Sequence, residues 1–287
     1  MYKTILVPGL NARCSPQALE LATQVARMCD GRIEYLHVHP DAQVLSRAVA
    51  TLDVEASLFS DQIWEAMVEA DKLCAMRARK TFETFCAREN LTSEGAVSAA
   101  FREASGNAAE RIAAEARYSD LVVLGRPEAP EDLAHSDAGD VLIGSGRPVL
   151  IAPSQACDNP ISTVAIAWKE SAASAHAVVA AMPLLKKAQR IHILGVAEGA
   201  DDEAAVRTSC ERLVEALRRN GLKPKAEHLP AGERDSCALV LETASQKLEA
   251  GVLVMGGYGH SRAREFIFGG FTRQVLHQAP LPVLMAH

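Results

Sequence analysis

The feature that most constrains this chain is that it runs twice through one order of parts. "KTILVPGLNARCSPQALELATQVAR" (Lys3 to Arg27) and "STVAIAWKESAASAHAVVAAMPLLKK" (Ser162 to Lys187) each give a short apolar run, a polar turn and a helix with small and apolar residues on one face. A second apolar run follows in each half, "RIEYLHVHP" (Arg32 to Pro40) and "RIHILGVAE" (Arg190 to Glu198). Later comes a helical stretch, Asn107 to Arg117 or Cys237 to Leu248, that leads into "DLVVLG" (Asp120 to Gly125) or "AGVLVMG" (Ala250 to Gly256). Each half closes on a strand after proline, "RPVLIAPS" and "LPVLMAH". Weaker strand candidates are "GAVSAAF" (Gly95 to Phe101) and "KAEHLPA" (Lys225 to Ala231).

Strands that alternate with helices predict parallel sheets, because a parallel connection needs a crossover and the helix supplies it. Near-continuous apolar strands such as "LVVLG" fit a sheet covered on both faces. The expected fold class is α/β: two tandem, doubly wound, five-stranded parallel-sheet domains of Rossmann-like form, at residues 1–153 and 161–287. The polar, proline-containing stretch Ser154 to Ser162 reads as the linker. The halves differ most at Asp41 to Asn90, about twice the length of its counterpart Gly199 to Gly221. This segment reads as helical, with Phe59, Ile63, Trp64, Met67, Phe82 and Phe85 as apolar-face candidates, covering the sheet or, alternatively, a partner.

Composition narrows the function classes. A hydrophobic share of 48% is enough for a core in each half, and a net charge of −6 argues against sequence-independent nucleic-acid binding, which needs clustered cations. The seven cysteines form no C-x-x-C pair and read as small, buried, reduced thiols. No apolar run reaches the length of a membrane span, and "MYKTILVPGL" lacks the layout of a signal peptide, so the expectation is a cytoplasmic protein with no membrane partner.

The segment "VMGGYGHSRAREFIFGGFTRQVL" (Val254 to Leu276) carries the candidate chemistry. Gly256 follows an apolar strand, and doubly wound sheets bind ligands beyond the carboxyl ends of their strands. Glycine there would permit positive φ or a close ligand approach. Gly269 and Gly270 precede "FTRQVLHQA", a helix start whose unpaired N–H groups suit an anion. Gly256, two residues, Gly259, nine residues and Gly269 resemble the signature of the universal stress protein family, in which the next residue is serine or threonine; here it is Gly270, with Thr272 two positions on.

The resemblance implies an adenine nucleotide, ATP or AMP, with or without magnesium, bound by the second domain. It implies backbone or side-chain contacts from Gly256, Gly259, Gly269, Gly270, Phe271 and Thr272. Val196 matches a position whose backbone meets adenine, with Ala167 and Trp168 beside it across the sheet. Lys169 stands where the family often has aspartate and reads as a phosphate contact or a solvated lysine. Arg262 is a candidate phosphate partner, or a surface arginine. The resemblance also implies that "PVLIAP" and "PVLMAH" pair antiparallel within one chain as a pseudo-dimer, with a homodimer of chains as a further option.

The matching segment of the first half, Gly125 to Leu142, is about three residues shorter and carries Glu128, Glu131 and Asp132, with His135 and Ser136 opposite Gly269 and Gly270. Acidic groups repel phosphate, so no nucleotide is expected there. The sequence has no Walker loop and no nucleophile elbow in strand-turn-helix context; "GSG" at Gly144 to Gly146 reads as a helix end. The function expected is a nucleotide-responsive regulatory or interaction module in stress response. Two alternatives stand beside it: an interaction or scaffold protein that binds no nucleotide, and a slow ATPase. His37 and His39 share one face of a strand by alternation, and a metal site would need further ligands that sequence cannot place, so they read as satisfied or solvent-facing.

Overall fold

The computed structural model describes residues 1–9, 15–40, 60–126, 137–155, 161–197, 199–230, 236–257 and 280–287. In the first half, β1 (Thr4–Pro8), α1 (Pro16–Cys29), β2 (Arg32–His39), α2 (Ser60–Glu89), β3 (Ser98–Ser105), α3 (Ala108–Ala116), β4 (Leu121–Leu124), α4 (Asp137–Ser145) and β5 (Val149–Ile151) follow one another. The second half runs β6 (Thr163–Ala167), α5 (Ala172–Leu185), β7 (Arg190–Ala197), α6 (Ala200–Arg219), β8 (Lys225–Pro230), α7 (Cys237–Lys247), β9 (Val252–Gly256) and β10 (Val283–Ala286).

These strands form a single ten-stranded sheet in the order β3-β2-β1-β4-β5-β10-β9-β6-β7-β8. Each half is a five-stranded parallel unit, and the halves meet antiparallel where Leu284 lies opposite Leu150 and Val283 opposite Ile151. The internal pseudo-dimer expected from the closing strands is therefore present, and neither closing strand is left as an open edge.

Local chemistry explains the helix ends. Ser15 caps α1 by accepting from the Ala18 N–H, Pro16 occupies the first turn where no donor is needed, and Asp30 closes the helix at φ 49°. Ser171, Ser236 and Asn107 cap α5, α7 and α3 in the same way. Gly146 follows α4 at φ +65°, as the helix-end reading of "GSG" required.

The pleat divides the core into two layers. Ile5, Val7, Tyr35, Ile166 and Leu284 face α1, α2, α5 and α6, whereas Leu6, Leu36, Val122, Ala165 and Met285 face α3, α4 and α7. The first layer runs unbroken across the seam, so both halves share it. Tyr2, at the start of the first half, donates its hydroxyl to the Ala180 carbonyl on α5.

Two expectations shift. The strand read at Gly95 to Phe101 lies instead at Ser98–Ser105, because its register is set by pairing with β2, from Arg32↔Ser98 to His39↔Ser105, and its exposed outer half carries no apolar signal. The helix within the long 41–90 segment is described from Ser60, and its second half covers the sheet: Phe82 and Phe85 are buried, and the Phe82 ring meets those of Tyr35 and Phe101 in tilted contacts. Met67 is half-buried; Phe59 and the side chains of Ile63 and Trp64 lie outside the described residues.

Candidate functional site

Parallel strands β6 and β9 lie side by side, with Ala167 in register with Met255 on one flank and with Leu194 of β7 on the other. From β6 the chain continues into β7 on one side, while β9 and β10 lie on the other, so the winding reverses between β6 and β9. Ligands of doubly wound sheets sit at such a reversal. Of the residues nominated from sequence, Ala167, Trp168, Lys169, Val196 and Gly256 all fall at the carboxyl ends of these strands. Gly259, Arg262, Gly269, Gly270, Phe271 and Thr272 lie outside the described residues, as do Glu128, Glu131, Asp132, His135 and Ser136 of the first half.

The side chains diverge from that common edge. Ala167 and Val196 face the layer of α7, whereas Trp168 turns to the opposite layer. The Trp168 backbone N–H donates to the Leu194 carbonyl at 2.9 Å, and its indole N–H donates to Ser209 Oγ on α6 at 2.9 Å. Ser209 in turn donates to Glu170, which also meets Arg212. An open cleft of about 770 Å3 runs between α5 and α6 there, walled by Trp168, Ser171, Ser209 and Arg212. Lys169 is exposed, and among the described residues no ion pair reaches it.

Gly256 has a packing reason of its own. A Cβ there would stand 2.6 Å from the Ser174 backbone nitrogen and 2.8 Å from the Ala173 carbonyl carbon, at the start of α5. Positive φ, the other use considered for this glycine, is not found at Gly256. Gly125 directly follows β4 in the matching place, where a Cβ would lie 2.7 Å from Ser15 Cβ and Oγ, the cap of α1. The same close approach of helix start to strand end thus occurs in both halves.

At the end of β2 the structure assembles a cluster that sequence reading could not complete. His37 and His39 project on one face with ring centroids 4.7 Å apart, and Asp71 of α2 meets both: Oδ2 lies 2.7 Å from His39 Nδ1 and Oδ1 lies 3.8 Å from His37 Nε2. Glu103 Oε1 lies 3.9 Å from His39 Nε2 and pairs with Arg79. Burial holds the His37 imidazole below its ordinary pKa, His39 adds to that effect, and Asp71 and Glu103 oppose it. The reading of both histidines as satisfied or solvent-facing fails for His37, which is fully buried with no hydrogen-bond partner on either ring nitrogen. The missing residue, Asp71, stands 32 positions after His39 on another element, and no local spacing signals it.

The described cysteines match the expected burial in part. Cys29 and Cys210 are buried and Cys74, Cys86 and Cys237 are half-buried, and none of these five is in a disulfide. Burial, with Glu211 adding, raises the Cys210 thiol to about 11; burial, with Glu83 adding, does the same for Cys86. At pH 8 such a thiol is roughly one part in a thousand thiolate, so iodoacetamide should label Cys210 and Cys86 at least about a hundredfold more slowly in the native chain than in urea. Peptide mass spectrometry over a time course reads this, and equal rates in the two states would contradict it.

Comparison with known proteins adds the family. The model of the Universal stress protein family matches residues 1–151 and again 161–287. Universal stress protein Slr1230 of Synechocystis sp. is 23% identical over 301 residues, spanning 98% of this chain and 99% of that protein. Among solved structures, a universal stress protein from Archaeoglobus fulgidus superposes with a TM-score of 0.69 at 18% identity, covering 99% of this chain and 95% of that one. A protein of unknown function from Pseudomonas aeruginosa, PA1789, gives 0.58 at 17% identity over 99% and 92% of the two chains. With both halves matched and the 3-2-1-4-5 strand order repeated across an antiparallel seam, the chain belongs to the universal stress protein family as a tandem, two-repeat member.

Proposed function

We propose that the second repeat, residues 161–287, binds an adenine nucleotide, ATP or AMP, and that the chain acts in the cytoplasm as a nucleotide-responsive module of stress response, with the first repeat, residues 1–153, as scaffold or partner surface. The observation that carries this reading is the spacing Gly256, Gly259, Gly269 in a family member, starting at the carboxyl end of β9 beside the reversal of winding. Glycines at such a point leave backbone N–H groups open to phosphate. The Val196 backbone and Ala167 would border the base, and Lys169 and Arg262 would meet the phosphates. Among the described residues no helix is long and apolar enough to cross a membrane.

Titration calorimetry and thermal shift with ATP and AMP, each with and without magnesium, test the proposal. A nucleotide at a hundred times its Kd stabilises the native state by about 2.7 kcal/mol, a rise in Tm of a few degrees. Gly259→Asp and Gly269→Asp should each weaken binding at least about tenfold, since a carboxylate would then face phosphate. No heat and no shift at millimolar nucleotide would sink the reading. That result is the one expected of an interaction protein without nucleotide, which Gly270 in place of the hydroxyl residue favours.

A further inference from the structure

We propose that His37, His39 and Asp71 form a binding site for a divalent transition-metal ion of the zinc class, which pins helix α2 to the carboxyl end of β2. One ligand atom from each of the three residues lies within 4.8 Å of the others. A tetrahedral zinc ion with bonds of about 2.0–2.2 Å holds its ligand atoms roughly 3.3–3.6 Å apart. Asp71 faces both imidazoles, with Oδ2 2.7 Å from His39 Nδ1 and the other carboxylate oxygen, Oδ1, 3.8 Å from His37 Nε2, distances comparable with that spacing.

His37 supplies the independent observation. Its side chain is 0% exposed, faces Asp71, and neither ring nitrogen has a hydrogen-bond partner. A buried polar group without a hydrogen bond destabilises the fold, and a metal bond would remove that cost at the nitrogen it uses. Two imidazoles and one carboxylate are a donor set that suits zinc with one coordination position left for water. Access exists, because the side chains of His39 and Asp71 are 27% and 19% exposed. Glu103, near the other ring nitrogen of His39, is placed to act as the outer carboxylate that fixes a ligating histidine.

The duplication provides an internal comparison. Thr4 pairs with Arg32 and Thr163 with Arg190, so His37 and His39 correspond to Gly195 and Ala197. At Gly195 the second repeat packs α6 directly on the strand, where an added Cβ would come within 2.5 Å of Cys210 Sγ and 2.7 Å of Val206. The fold therefore closes at this place without any polar group. The first repeat instead commits two histidines and an aspartate, which packing alone does not require.

The test uses the full-length, tag-free chain, stripped with chelator and titrated with Zn2+ by calorimetry and with Co2+ by absorption. One ion per chain is expected, with the ligand-field bands of tetrahedral Co2+ and without a thiolate charge-transfer band. Asp71→Asn and His39→Ala, both at partly exposed positions and checked for native circular dichroism, should weaken binding by about a hundredfold or more, and Glu103→Gln by about tenfold. Cys74→Ser, one helical turn from Asp71, should bind as the parent does. Absence of stoichiometric binding, retention of parental affinity in Asp71→Asn and His39→Ala, or a thiolate band lost in Cys74→Ser would each overturn the proposal.

Discussion

Leu284→Ala is expected to lower the stability of the whole chain by about 3 kcal/mol, within the 2–5 kcal/mol typical of a leucine removed from a close-packed core. Leu284 is fully buried on β10 and lies opposite Leu150 of β5, also fully buried, across the antiparallel seam. Leu150→Ala should cost a similar amount. Because the two positions are direct partners, the double substitution should depart from the sum of the single ones by about 0.5–3 kcal/mol. Urea unfolding followed by far-ultraviolet circular dichroism and by fluorescence measures all three variants. A core layer continuous across the seam also predicts coincident transitions by the two probes. Val179→Ala, at an exposed site on α5, is the control and should stay within about 0.5 kcal/mol. If Leu284→Ala behaves like that control, the seam does not join the halves in solution.

The second large effect concerns Gly256, where packing and ligand binding make different forecasts. In the ligand-free protein Gly256→Ala should destabilise by about 1–3 kcal/mol, the range for forcing atoms into a filled space, since the new Cβ meets backbone rather than a movable side chain. Gly125→Ala should do likewise, and its contact with Ser15 threatens the α1 cap, worth about 1 kcal/mol. Equal losses in the two repeats, measured by thermal unfolding without nucleotide, would assign both glycines to the close meeting of strand end and helix start. A Gly256→Ala variant with parental apo stability and weakened nucleotide binding would assign Gly256 to the ligand instead. Gly259 and Gly269 are consequently the cleaner positions for testing the nucleotide proposal.

Much of the architecture is legible in the sequence. Strands β4, β7 and β9 are apolar runs buried along most of their length and β2 is buried through its middle, and their limits lie within a residue or two of those the sequence predicts. Edge strand β3 was displaced because half its surface meets solvent, so pairing rather than hydrophobicity sets its ends. The sequence of helix α2 reads as helical, but the partner of its apolar face is set by the tertiary contact of Phe82 with Tyr35 and Phe101.

The candidate sites divide along the same line. The glycine spacing is local information, carried by a few positions of one segment, and with the family resemblance it nominates Ala167, Val196 and Gly256 for one strand-end region. Which way the neighbouring side chains turn is not local: Trp168, nominated beside Val196, sends its indole to Ser209 in the opposite layer, because successive residues of a strand alternate faces.

Sequence by itself determined the duplication, the parallel winding of each half and the glycine pattern, since these depend on periodicity and spacing along the chain. Only the tertiary structure decided that the two halves share one sheet in a definite register, that Gly256 is pressed against a helix start, and that Asp71 meets His37 and His39. Such meetings join residues on different elements, and their distances are set by how strands pair and helices pack, which no spacing within a single segment encodes.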